Sequence, residues 1–156
     1  MRIPSHYIDR NGHMNVRHYI GIFDDCGTPT LVRQGLPLEW LTAHHRGVMD
    51  VENHIRFLHE VMEGEEVTVH ARLIGRTEKA LHWMEFLVNN TRANLAATLE
   101  MLTVHVDLVT RRATAWRAEA AAALDAQIAT DGALPWAAPV SGCIALRQGA
   151  IAPAVT

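Results

Sequence analysis

The chain is poor in cysteine, in excess charge of either sign and in long apolar runs, and each shortage removes a class of protein. Two cysteines in 156 residues, Cys26 and Cys143, with no Cys-x-x-Cys pair, provide no disulfide framework and favour a reduced, cytoplasmic setting. A formal net charge of −3 without any basic block gives nucleic acid no electrostatic foothold. No apolar stretch reaches the ~18–20 residues of a membrane span, and no secretory-leader pattern is expected at the start. Gly-x-Ser-x-Gly, phosphate-loop and dinucleotide fingerprints are missing, and neither cysteine sits in a nucleophile motif. What remains, 49% hydrophobic and 20% charged, fits one compact domain with a sizeable core.

Periodicity orders that domain. After a short extended start at residues 2–8, Val16, Tyr19, Ile20, Phe23 and Cys26 recur at helical spacing behind Asn15, a good N-cap. The helix should run from Val16 to Val32, with Pro29 either kinking it or opening a second short helix. Gly35 and Pro37 close that region, and residues 38–44 read as another helical turn. From Val48 the period changes to two: Val51, Asn53, Ile55 and Phe57 alternate with Glu52, His54 and Arg56. Further strands are expected over residues 67–73, 81–88 and 102–108, with turns at 64–65, 75–79 and 89–94. Alanine-rich 118–129 favours a helix. One early helix should therefore cover one face of an antiparallel meander. Residues 1–129 form the expected domain, and the Ala, Gly and Pro-rich segment 130–156 reads as a loose tail or a flap over a neighbouring subunit.

The densest chemistry lies in Asp9-Arg10-Asn11-Gly12-His13-Met14-Asn15. A carboxylate, two carboxamides and an imidazole stand directly before a helix N-terminus, whose unpaired N–H groups and partial positive charge suit a carbonyl oxygen. The same residue types also build turns. Tyr19 lies on the apolar stripe and reads equally well as core. The ten histidines show no ligand spacing. His59-Glu60-Val61-Met62-Glu63 begins like a zinc-protease motif but ends on Glu in an extended run. No metal or cofactor is expected.

Taken together, the short strand, Asp-x-Asn-x-His-x-Asn, the Tyr-bearing helix and the meander resemble the hotdog-fold thioesterases. The likeness covers roughly residues 2–125. Asp9 holds the place of the catalytic carboxylate of the 4-hydroxybenzoyl-CoA type, and Asp9, Asn11 and His13 match the motif of plant acyl-carrier-protein thioesterases. Phe57-Leu58-His59-Glu60-Val61 is similar to the later Tyr-Arg-Arg-Glu-Cys of those plant enzymes and makes Glu60 the second carboxylate. Val61 stands in place of cysteine, and the intervening loop is longer. Gly12-His13-Met14-Asn15-Val16 is similar to a stretch of betainyl-CoA thioesterases.

The resemblance implies an α+β hotdog fold, a curved antiparallel sheet around a central helix. It further implies hydrolysis of an acyl-CoA or acyl-carrier-protein thioester. Asp9, Asn11, His13 and Glu60 would be catalytic, and Asn15, Val16 and Tyr19 substrate-binding. A homodimer or dimer of dimers is expected, because a sheet with one covering helix leaves an edge open. A hotdog dehydratase or hydratase and a non-catalytic acyl-CoA binder are the alternatives.

Overall fold

A computed structural model describes residues 1–146. The first regular element is a 3-10 turn at Ser5–Tyr7, followed by the Asp9 loop and helix α1, Arg17–Arg33. Asn15 Oδ1 accepts the Arg17 backbone N–H (3.2 Å), so Asn15 caps the helix as expected, although Val16 is already helical in conformation. The far end closes on Gly35 at φ +81. There the Leu36 N–H reaches the Leu31 carbonyl (3.2 Å) and the Gly35 N–H that of Val32 (3.1 Å), a Schellman closure that needs left-handed backbone at Gly35. The second short helix offered at Pro29 does not form; one helix runs through it. Pro29 and Asp25, whose carbonyl loses its i+4 donor, both face solvent, so water can replace the missing bond.

A short helix α2, Leu38–Ala43, leads into the sheet. Strands β1 (Arg46–Phe57), β2 (Val67–Arg76), β3 (Ala80–Asn89) and β4 (Asn94–Asp107) lie in the order β1-β4-β3-β2, all antiparallel. A two-residue strand β5, Arg112–Ala113, pairs with the end of β4; nothing in the periodicity announces it. This is the α+β architecture of a hotdog fold. Tyr19, Ile22, Phe23 and Leu31 of α1 share one core with Trp83, Leu87, Leu99 and Met101 of the sheet. In β1 the expected alternation is interrupted by a register shift between Asp50 and Glu52. A bulge of this kind re-aims side chains, and Val51 is left 53% exposed.

The sheet has more cover than one helix. Helix α3, Ala118–Gly132, extends past the expected end at Ala129 and packs on the β2 edge. Asp131 Oδ2 accepts the Leu73 N–H (2.7 Å), and Asp125 takes both Nε (2.7 Å) and Nη2 (2.5 Å) of Arg76. An open edge is thereby closed within the chain. Residues 133–146, read from sequence as tail, lie along the sheet face opposite α1. Arg72 donates to the Trp136 carbonyl (2.8 Å) with its guanidinium 4.1 Å from the Trp136 ring. The Ser141 N–H meets Glu100 Oε2 (2.6 Å), and Ile144 is buried. This second layer explains why Leu81 to Leu87 of β3 are buried on both faces. The rest of the expected tail, 147–156, lies outside the described residues. No helix of the described residues is long and apolar enough to cross a membrane.

Candidate active site

The loop before α1 is a closed turn. The Gly12 N–H bonds the Asp9 carbonyl (2.9 Å) and the Asp9 N–H bonds the His13 carbonyl (3.0 Å). Gly12 sits at φ +85, which a residue with a Cβ adopts only at a cost. Inside this turn the Asp9 carboxylate is fixed from two sides. Oδ1 accepts the Asn11 N–H (2.7 Å) and Oδ2 accepts Asn15 Nδ2 (2.9 Å). The Asn11 N–H first and the Asn15 amide second hold the Asp9 carboxyl below its ordinary 3.8, so it stands ionised at neutral pH.

Asn15 therefore does two jobs, orienting the carboxylate and capping α1. The first turn of α1 has largely spent its donors: Arg17 N–H on Asn15 Oδ1, His18 N–H on the Asn15 carbonyl (3.0 Å), Tyr19 N–H on the Val16 carbonyl (3.3 Å). The Val16 N–H has no hydrogen-bond acceptor among the described residues. It stands at the positive end of the helix dipole, one residue from the amide that holds Asp9. The Val16 side chain is 59% exposed. An open groove of about 470 Å³ is lined by Ile8, Asp9, Arg10, Asn11, Asn15 and Arg17.

Glu60 reaches this place through the backbone. The Met14 N–H bonds the Val61 carbonyl (2.7 Å), which ties the loop after β1 to the Asp9 turn. Glu65 clamps that loop from below, accepting the Met62 N–H (2.8 Å) and Asn89 Nδ2 (2.7 Å) and pairing with Arg92. As a result His13 Nε2 lies 3.8 Å from Glu60 Oε1, a salt bridge only when the imidazole is protonated. His13 Nδ1 faces the Met14 carbonyl at 3.3 Å. Asp9, Asn11, His13, Asn15, Val16 and Glu60 are thus gathered at one end of α1. Tyr19 is not among them: it is 4% exposed, edge-on to Phe57, with its hydroxyl pushed up by burial. No group of three His, Cys, Asp or Glu able to hold a metal occurs among the described residues.

A second concave feature has no counterpart in the sequence reading. A cleft of about 200 Å³ opens between α1 and the sheet. Asp24 of α1, Asp50 of β1 and Glu85 of β3 line it together with Trp83 and the apolar Ile20, Phe23, Leu31, Leu99 and Met101. Glu85 is wholly buried, and neither of its oxygens has a hydrogen-bond partner among the described residues. The Cys26 thiol nearby points to the Val69 carbonyl (3.8 Å). Burial pushes the Glu85 carboxyl up to about 8; the Cys26 thiol pulls it down, and the charges of Asp50 and Asp24 push it up. Asp50, raised by burial, accepts the Thr103 hydroxyl, which in turn accepts Trp83 Nε1 (2.8 Å). The one signal available in the sequence was an acidic residue inside the apolar run of residues 81–88.

The comparisons with known proteins agree on the family. The family model of the thioesterase-like superfamily matches residues 3–124. Betainyl-CoA thioesterase of Pseudomonas aeruginosa is 30% identical over 83% of this chain and 81% of its own length. The L-carnitine dehydrogenase/betainyl-CoA thioesterase of Agrobacterium fabrum is 34% identical over 76% of this chain, which spans only 24% of that longer protein. A hypothetical protein of Staphylococcus aureus, solved in complex with CoA, superposes with a TM-score of 0.83 at 24% identity, covering 94% of this chain and 92% of that one.

Proposed function

The chain belongs to the thioesterase-like superfamily, and from that premise we propose that it hydrolyses an acyl-CoA thioester at the Asp9 turn. The observation that carries this reading is an ionised carboxylate pinned by Asn11 and Asn15 in front of a helix whose Val16 N–H is unspent. The thioester carbonyl oxygen accepts that N–H, and the helix dipole favours the negative charge that grows there. Asp9 either attacks the carbonyl carbon, forming an acyl-enzyme that water then cleaves, or takes a proton from a water that attacks directly. The thiolate departs without a strong acid, and the products are a carboxylic acid and free CoA. His13, with Glu60 behind it, orients the water. Asn11 and Asn15 keep the carboxylate charged and aimed.

CoA is preferred over acyl-carrier protein because both relatives are named for a CoA thioester. The free thiols of Cys26 and Cys143 support a cytoplasmic setting. The unit is a homodimer or a dimer of dimers, with β1 as the pairing edge. That strand leaves Met49, Val51 and Phe57 about half exposed, an apolar edge that isolated proteins avoid. A panel of acyl-CoAs incubated with a thiol-trapping dye tests the reaction. Release of thiol by the wild type but not by Asp9→Asn is expected. A panel with no thiol release, or water added across a double bond instead, would sink the reading.

A further inference from the structure

Glu60 owes its place to its backbone. Its side chain is 63% exposed, and His13 is the one polar partner of its carboxylate among the described residues. The course of residues 58–66 therefore decides where that carboxylate stands. Of the three glutamates that follow, Glu63 and Glu66 face solvent and Glu65 is buried. A buried carboxylate is costly unless donors meet its oxygens. Oε2 accepts the Met62 N–H (2.8 Å) and Asn89 Nδ2 (2.7 Å), and Oε1 accepts Arg92 Nε. Burial pushes this carboxyl up, but the Met62, Asn89 and Arg92 bonds outweigh it and hold the group below its ordinary 4.5. It is ionised at neutral pH.

The donors come from separate places in the fold. Met62 belongs to the loop itself, Asn89 ends β3 and is wholly buried, and Arg92 lies in the turn between β3 and β4. Asn89 Oδ1 also accepts the Arg92 N–H (3.1 Å), which closes the cluster on itself. Well-packed apolar side chains often hold such a corner as stably as a buried charge. Directed bonds to a charge add one fixed geometry. The loop is fastened on its other side as well, where the Val61 carbonyl accepts the Met14 N–H (2.7 Å). Glu60 stands next to these two anchors, Val61 and Met62, and its carboxylate comes within 3.8 Å of His13.

We propose that Glu65 is a positioning residue for hydrolysis: its bonds to Met62, Asn89 and Arg92 fix the loop that aims Glu60 at His13. The proposal rests on the thioesterase reading and adds to it a residue that touches no reacting atom. Its path is single, from Glu65 through the Met62 backbone to Glu60, and from there to the imidazole. A shift of about 1 Å in a positioned group is enough to slow a reaction markedly. Loss of the Glu65 charge costs rate and spares binding, because no residue of this loop lines the groove beside Asp9.

The test is a double-mutant cycle, run with the most rapidly cleaved member of the acyl-CoA panel. Glu65→Gln keeps the shape of the side chain and removes its charge. Its kcat should fall about as far as that of Glu60→Gln, roughly tenfold, with KM within about twofold. Adding Glu65→Gln to Glu60→Gln should cost nothing further, because both act on one path. Losses that multiply, or a loss that falls on KM, would overturn the proposal and leave the thioesterase reading standing. Arg92→Gln removes one donor at the half-exposed rim of the cluster and should repeat the pattern at smaller amplitude; it decides the matter if Glu65→Gln does not fold. Asp125→Asn breaks the Arg76 pair that holds α3 on β2 and should lower melting temperature with kcat unchanged. A fall in kcat there equal to that of Glu65→Gln would reduce the latter to a general loss of stability. If the wild type cleaves no thioester, that reading fails by itself, and the His13 ring-proton shifts in NMR decide the positioning. Displacement of those shifts in Glu65→Gln supports it, and an unmoved His13 overturns it.

Discussion

Two carboxylates of this molecule face opposite fates. Asp9 sits in a half-open turn, receives an amide N–H and a carboxamide, and is held below its ordinary pKa. Glu85 sits buried under α1 with neither oxygen in a hydrogen bond among the described residues and is pushed up to about 8. Residue type is nearly the same; hydrogen bonding decides the first and desolvation the second. A carboxyl whose charge is hydrogen-bonded stands ionised at neutral pH, whereas one kept dry in a cleft holds its proton there.

The largest expected effect breaks the first half of the contrast. Asp9→Asn should lower turnover by about 10²–10⁴, the usual worth of a positioned acid or base. Its fold should survive with a small drop in melting temperature, because an amide cannot satisfy both Asn11 and Asn15 as the carboxylate does. Near-full turnover would remove Asp9 from the chemistry. His13→Ala should cost less, since solvent replaces part of an orienting group, and Glu60→Gln less again, since Glu60 acts through His13. A loss with Glu60→Gln equal to that of Asp9→Asn would mean that Glu60 itself reacts.

The second half is sharpened by pH. The folded protein holds the Glu85 proton more tightly than the unfolded chain, so ionisation opposes folding and stability falls as pH rises from about 4.5 towards about 8. Glu85→Gln should flatten that slope in melting temperature by several degrees across the window. Asp9 has the opposite sign: its contribution is present above 3.8 and is lost only as pH falls below it. An unchanged slope in Glu85→Gln would show that the carboxyl is not the buried acid described. The smallest effect concerns the edge. Val51→Lys on β1 should shift sedimentation from dimer towards monomer, and a monomeric wild type at micromolar concentration would contradict the pairing proposed.

Much of the site was legible because it is local. Asp9, Asn11, Gly12, His13 and Asn15 make their mutual bonds within seven residues, and α1 begins at the Asn cap and stops at Gly35 by rules of short range. The strands followed from alternation where one face is buried. They were read short at β4, where burial at consecutive positions erases the alternation, and without β5, which at two residues is too short to show any. Tyr19 went to the core, as its place on the apolar stripe allowed. At Pro29 the alternative of a second helix fails because Asp25, whose carbonyl loses its donor, faces water, which no spacing rule records.

Sequence alone determined the turn that charges Asp9 and the helix end it faces, since both depend on bonds between near neighbours. Tertiary structure alone decided that Glu60 meets His13, through the Met14–Val61 backbone bond. It alone brought Asp24, Asp50 and Glu85 to one cleft and left the Glu85 oxygens without a hydrogen bond among the described residues. The physical reason is distance along the chain: desolvation and convergence of charges are set by packing among residues dozens of positions apart, and no local pattern carries that information.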